Sequence, residues 1–299
     1  MIDKLEYLIA LARQQHFGRA AEACGVTQPT LSAGLKQLES ALGVLLVQRR
    51  TRFRGLTPEG ERVLAWALRI VGDVRQMRQE VGSLRQGLSG HLRLAVIPTA
   101  LPMVPQITTP YRELYPDVRF TILSRTSAEI GSMIEGLEVE AGLSYLDEQP
   151  LGRLRSVPLY QERYCLLIAA DHPLSGRETV TWVELGEVPL CLLTNDMQNR
   201  RILDRHLADA GTQARTTLES NSMLALVAHV RTGRWASIMP ALLAETLDLT
   251  ASVRAVRITD PDAVHQVGLI VPEREPLPAM TAALFVLAQK IGRAAPRAA

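Results

Sequence analysis

Apolar residues at Leu5, Leu8, Ile9 and Ala12 recur at i, i+3, i+4 and i+7, the spacing that gives a helix one buried face. The pattern breaks at Phe17-Gly18. It resumes over a short segment, residues 19–24, that stops at Gly25, a residue suited to the left-handed conformation after a helix. Thr27 then stands as the N-cap of a third helix in which Pro29 falls in the first turn, where its missing N–H is not needed. Leu31, Leu35, Leu38 and Leu42, spaced 4, 3 and 4, bury that helix on the first two. Two short helices joined by a glycine turn, with small alanines where they cross, make the helix-turn-helix pattern. The outward positions at the start of the third helix are Gln28, Thr30, Ser32, Ala33 and Lys36. An amide that can pair with adenine, two hydroxyls, a methyl and a cation suit a DNA major groove.

Downstream, four arginines in six residues, Arg49, Arg50, Arg52 and Arg54, share a stretch with Gly55 and β-formers, which predicts a β-ribbon wing set to meet phosphates or a minor groove. Thr57 caps a further helix with Pro58 at its first position and Glu59 and Glu61 in its first turn. Val63, Ala67, Ile70, Val74, Met77, Val81, Leu84 and Leu88 follow at alternating spacings of 4 and 3, a narrow stripe that wants a partner helix. The expected partner is a second copy of the chain, so that two reading heads face two half-sites. Residues 1–58 are thus expected to form the reading head and residues 59–88 a linker helix that makes a homodimer.

From His91 onward strands and helices alternate, with strands over 92–97, 118–123 and 141–145 and helices over 101–115 and 127–137, the signature of βαβ units and a largely parallel sheet. A second set follows, with strands near 164–169, 189–193, 216–218 and 236–239 and helices near 198–210 and 221–232. A strand over 265–271 and a helix from about 278 to 291 return to the first set. The expected architecture is an N-terminal all-α winged helix-turn-helix with its linker helix, and a C-terminal α/β domain of two lobes, lobe I over 91–161 and 266–299 and lobe II over 162–265. Ligands of such sheets sit beyond the carboxyl ends of strands, against helix N-termini. Thr99, Arg125, Thr126, Thr194, Asn195 and Ser222 occupy such places and are the expected contacts for a small effector, with Arg125 facing either a carboxylate of the ligand or an exposed ion-pair partner.

Charge sharpens this division. Residues 1–58 hold eight basic and four acidic side chains, a balance of +4, which leaves −2 for the remainder of a chain whose total is +2. A polyanion partner is expected for the N-terminal part alone. No membrane-length apolar run and no basic leader stand in the sequence, so a cytoplasmic protein without membrane contact is expected. Cys24, Cys165 and Cys191 show no CxxC spacing and are expected to be buried thiols, a Cys165–Cys191 redox pair being the alternative. No catalytic constellation, metal-ligand spacing or cofactor fingerprint is found, so neither an enzyme nor a cofactor is expected.

Residues 1–60 resemble the DNA-binding domain of the LysR-type transcriptional regulators. The resemblance rests on Ala20-Ala21, Thr27-Gln28-Pro29-Thr30-Leu31-Ser32, Leu38-Glu39, Leu42-Gly43, Arg49 and Leu56-Thr57-Pro58-Glu59-Gly60. Gly18 departs from the serine that usually caps the second helix, and Val47 from the phenylalanine before the wing. The resemblance implies that Gln28, Pro29 and Ser32 approach bases or backbone and that Arg49 and its neighbours hold phosphates. Over residues 91–299 it implies a periplasmic-binding-protein-like effector domain, a homotetramer built of dimers, double-stranded promoter DNA and RNA polymerase as partners, and control of nearby metabolic genes. The segments 124–130 and 194–201 look similar to members associated with formate dehydrogenase operons. Two other readings remain open at this point, a cytoplasmic small-molecule binder of the periplasmic-binder fold and a thiol redox-sensing regulator.

Overall fold

The computed structural model describes residues 1–49, 53–147, 152–247 and 252–294, so Arg50 and Arg52 of the expected wing lie outside the described residues. The chain divides into two compact units, Met1–Gln86 and Gly87–Ala299.

In the first unit, α1 (Ile2–Gln14), α2 (Phe17–Ala23) and α3 (Gln28–Leu42) bury Leu5, Leu8, Ile9, Ala20, Ala21, Leu31, Leu35 and Leu38 in one core. Gly25 adopts a φ of 65°, as its place after the second helix requires. The absent serine at position 18 leaves no gap, because His16 is the N-cap of α2 and its Nδ1 accepts from the backbone N–H of Gly18 and Arg19. Leu42, expected on the buried face, is exposed, since α3 ends at that residue.

A short antiparallel ribbon, β1 (Val47–Arg49) and β2 (Phe53–Leu56), leads into the 29-residue α4 (Pro58–Gln86). The linker is not a separate piece. Ala67 and Val71 are buried in the same core as α1, Val63 packs against it, and Arg75 lies 3.5 Å from Glu6 of α1. Ala67, expected in the partner seam, is therefore spent inside its own unit, and Val63 is half spent. Ile70, Met77 and Val81 stay exposed, joined by Trp66, which the heptad reading passed over. The side chain of Leu84 lies outside the described residues.

The second unit holds two lobes. Lobe I takes β3 (Gly90–Val96), a 3-10 turn (Pro98–Met103), α5 (Val104–Leu114), β4 (Val118–Ser124), α6 (Ser127–Glu135), β5 (Ala141–Tyr145) and β6 (Leu154–Glu162). The chain then crosses into lobe II, with β7 (Tyr164–Ala169), β8 (Thr179–Thr181), α7 (Trp182–Leu185), β9 (Leu190–Leu193), α8 (Gln198–Asp209), β10 (Thr216–Ser220), α9 (Met223–Val230), β11 (Ser237–Pro240), α10 (Ala241–Thr246) and β12 (Val253–Thr259). It returns through β13 (His265–Pro272) to α11 (Ala279–Ala294). The lobe I sheet runs β4-β3-β5-β13-β6, and that of lobe II β11-β7-β12-β8, with β9 and β10 as a parallel pair bridged to the strand start at Ala236.

The sheets are more mixed than the alternation of elements predicts. β3 is parallel to β4 and β5, but β13 is antiparallel to β5 and β6, and β7 is antiparallel to β11 and β12. The antiparallel pairs arise where the chain enters and leaves a lobe and runs back beside itself. β6 and β12 escape the sequence reading. Pro158 interrupts the apolar run of β6, which is tolerated because β6 is a sheet edge.

Candidate functional site

The first candidate surface is the start of α3. Thr27 Oγ1 accepts from the N–H of Thr30 and lies 2.8 Å from the Thr30 hydroxyl, which fixes the first turn. Gln28, Pro29 and Thr30 are exposed around that turn, Ser32 is half-buried and Lys36 is exposed further along, so these five expected contacts share the N-terminal part of one helix. Glu39, toward the C-terminal end of the same helix, is buried, and its carboxylate accepts from the N–H groups of Leu46 and Val47, at 3.0 and 3.2 Å. It ties the base of the ribbon, and with it the backbone of Arg49, to the reading helix. Composition gives no hint of this anchor; only its place in the Leu-Glu pair does.

The second anchor is Thr57, whose hydroxyl donates to Leu45 O at 2.6 Å and accepts from the N–H of Gly60. A Cβ on Gly60 would come 2.1 Å from the carbonyl oxygen of Leu46. The glycine closing the Leu56–Gly60 motif is thus demanded by close backbone approach.

In the second unit a cleft between the lobes collects residues from the carboxyl ends of β3, β4, β5 and β9. Its wall comprises Ile97, Pro98 and Thr99, Thr126 and Ser127, Tyr145, Leu193, and Met197, Gln198 and Asn199 at the start of α8. Its volume is about 10 Å³, room for roughly one water. Thr99 is wholly buried, with its hydroxyl 3.3 Å from that of Tyr145, and Asn199 Nδ2 donates to the same tyrosine oxygen at 3.2 Å. Lobes I and II therefore share a hydrogen bond at the cleft.

Of the expected effector contacts, the structure brings Thr99 and Thr126 to this cleft. Thr126 also caps α6 in a reciprocal box with Glu129. Thr194 stands just before the α8 start, its hydroxyl buried and without a hydrogen-bond partner, but does not line the cleft. Asn195 and Ser222 are exposed away from it, and Ser222 accepts from the N–H of Ala225 as the cap of α9. Arg125 donates to the carbonyl of Ser124 and lines a separate open groove with Glu129 and Glu138. The expectation of an organic anion held by Arg125 in the cleft is corrected on that ground. Tyr145, Gln198 and Asn199 were missed because a tyrosine at a strand end and two amides in a helix read, in sequence, as residues that face water.

Cys24, expected to be buried, is only half-buried, whereas the other two thiols are insulated. Cys165 and Cys191 are buried, and their Sγ atoms face the carbonyls of Met239 and Leu226. Burial pushes the Cys165 thiol up to about 12 and that of Cys191 up to about 11. Cys165 on β7 pairs beside Met239 of β11, while the N–H of Cys191 on β9 bonds Ala236 O on the far side of that strand. Two strand spacings separate them, about 9.5 Å, beyond the ~7 Å a disulfide spans without backbone movement. The pair does not form a bridge in this fold.

The chain matches the model of the bacterial regulatory helix-turn-helix proteins of the lysR family over residues 2–61 and that of the LysR substrate binding domain over residues 85–290. The chain belongs to the LysR family. It is a DNA-binding transcriptional regulator with an effector-binding domain. Among curated LysR-family relatives, the DNA-binding transcriptional dual regulator OxyR of Escherichia coli is 27% identical over 92% of this chain and 90% of its own length. A probable hydrogen peroxide-inducible genes activator of Streptomyces viridosporus is 32% identical over 90% of this chain and 86% of its own length. Among solved structures, a full-length cysteine-to-aspartate variant of OxyR from Pseudomonas aeruginosa superposes with a TM-score of 0.74 at 26% identity, covering 98% of this chain and 99% of that one. These relatives lend no support to the formate dehydrogenase expectation. Among the described residues, no helix is long and apolar enough to cross a membrane.

Proposed function

We propose that the protein binds double-stranded promoter DNA as a homodimer, assembled further into a homotetramer, and that a small molecule in the inter-lobe cleft changes the spacing of its reading heads. Gln28, Pro29, Thr30, Ser32 and Lys36 enter the major groove, and Arg49, Arg50 and Arg52 hold the flanking phosphates. Trp66, Ile70, Met77 and Val81 of α4 form the partner face, with Val74 at its margin. RNA polymerase is the partner through which bound promoter is read. The observation that carries this reading is the exposed polar start of α3, held in place by Thr27 and Glu39, in a chain whose second unit has a cleft shared by two lobes. A ligand that bonds one lobe arrangement better than another shifts the population toward it, and the oligomer transmits that difference to the half-site spacing.

The deciding experiment is a mobility shift and footprint at fixed salt on the promoter DNA beside the protein's own gene, with wild type and a Gln28→Ala, Lys36→Ala variant. Two protected half-sites for the wild type and weakened protection for the variant are expected. Equal protection by both would remove α3 as the reader. A second reading, a response to peroxide, draws on the names of the relatives. The insulation of Cys165 and Cys191 speaks against a thiol route to it.

A further inference from the structure

Behind the cleft wall lies a charged group that the regulator reading leaves unused. Glu162 ends β6 at the point where the chain crosses from lobe I to lobe II, and it is only 1% exposed. Tyr145 donates its hydroxyl proton to Glu162 Oε1, while Glu162 Oε2 has no hydrogen-bond partner. The hydroxyls of Tyr160 on the same strand and Tyr164 on β7 face this carboxyl without closing a well-formed bond to it. His265, the register partner of Glu162 on β13, lies near Asp147 through Nδ1 and meets His206 of α8 through Nε2, 2.9 Å away. Among the described residues no lysine or arginine lines the cleft, and Arg201 reaches it only through Gln198 Oε1, 2.6 Å away.

A phenol has one proton. While Tyr145 gives it to Glu162, its two lone pairs accept from Asn199 Nδ2 and the Thr99 hydroxyl, which leaves the Thr99 oxygen as an acceptor on the cleft wall. A ligand with a negative charge would sit one hydroxyl away from a buried carboxylate with no basic side chain on the wall to compensate it.

We propose that the cleft admits a small hydrogen-bond donor, an amide or amine, and rejects carboxylates, with Glu162 setting that polarity through Tyr145. The inference rests on the effector role proposed for the cleft and names its ligand class. It carries a pH signature. Burial raises the Glu162 carboxyl to about 7. The ionised form holds the Tyr145 proton most firmly and, through it, the Thr99 oxygen as an acceptor toward the cleft, so donor affinity rises as pH rises through neutrality and falls below it.

The cleft as it stands has room for roughly one water, so a donor enters by parting the lobes, and the test uses small molecules of one shape that differ in charge: acetamidinium, acetamide and acetate. Binding to the full-length protein is followed by ligand-observed NMR and thermal shift between about pH 6 and about pH 8, with up to about tenfold change in affinity per pH unit for a single linked proton. The expected order at the upper pH is acetamidinium and acetamide ahead of acetate by about tenfold or more. In Glu162→Gln the pH slope disappears and the discrimination against acetate narrows to within about threefold. Tyr145→Phe narrows it likewise, and decides the matter if the first variant fails to fold.

Acetate binding as tightly as acetamide, binding of no probe, or a pH slope that survives Glu162→Gln and so belongs to His265 or His206 overturns the proposal. Gln198→Trp, which fills the cleft, separates this failure from that of the wider reading. Donors that still bind this variant place the site elsewhere. A promoter mobility shift on the same preparations reports DNA binding independently of either result.

Discussion

The two units of this chain make their functional surfaces in opposite ways. In the reading head the decisive bonds are local: Thr27 caps Thr30 three residues on, and Glu39 takes the N–H of Leu46 seven residues on. In the sensor unit Thr99 meets Tyr145 across 46 residues of sequence and Asn199 meets it across 54. A local surface tolerates little change at any motif position, because each residue bonds fixed neighbours a few positions away. A surface assembled from distant strand ends can change its ligand by single substitutions while the sheets beneath it stay the same. The two units should therefore respond differently to mutation.

The sharpest break between them is Gly60→Ala. The added Cβ collides with the Leu46 carbonyl, so the reading head loses about 3 kcal/mol and its DNA binding, while the sensor unit keeps its own unfolding transition in calorimetry. Burying one charge on the partner face comes next. Met77, 57% exposed in the single chain, is expected to weaken self-association on the order of a hundredfold as Met77→Glu, read by analytical ultracentrifugation.

In the sensor unit the matching test is Glu162→Gln. Its carboxyl titrates at about 7 when folded and near the ordinary 4.5 when unfolded. Through that interval the folded protein holds the proton and the unfolded chain does not. Stability is thus highest below 4.5, declines as pH rises from there to 7, and stays lower above it. The decline amounts to at most about 3 kcal/mol. Denaturant titrations across that range should show this slope in the wild type and its absence in the variant.

A smaller effect is expected from Gln28→Ala, about 1–3 kcal/mol of lost discrimination at one base position, measured by binding to a set of single-base operator changes. The smallest belongs to Cys165→Ser with Cys191→Ser. If the thiols only fill space, the peroxide dependence of promoter occupancy is the same with and without them. A difference would restore the thiol reading and with it a closer functional tie to the peroxide-inducible relatives.

How much of this was legible in the sequence follows the same division. The heptad stripe along 63–84 was visible, but not that Ala67 would turn into the core while Trp66 stayed outside, because a period of 3.5 cannot say which flank of a long helix meets α1. The cap of α2 was sought at position 18 and found at His16, a residue type outside the usual capping set. In the sensor, Thr99 and Thr126 were legible as strand-end hydroxyls, and Arg125 followed the same rule into a different groove.

The sequence by itself determined the helix-turn-helix, the ribbon, the long helix, the two α/β sets and the strand-end positions of Thr99 and Thr126. Each of these is written in periodicity, caps and turns over a few neighbouring residues. Only the tertiary structure decided the running direction of β6, β12 and β13, the isolation of Cys165 from Cys191, and the meeting of Glu162, Tyr145 and Asn199. Those depend on which distant segments the two crossings between lobes bring together, and a contact between segments far apart in sequence leaves no period in it.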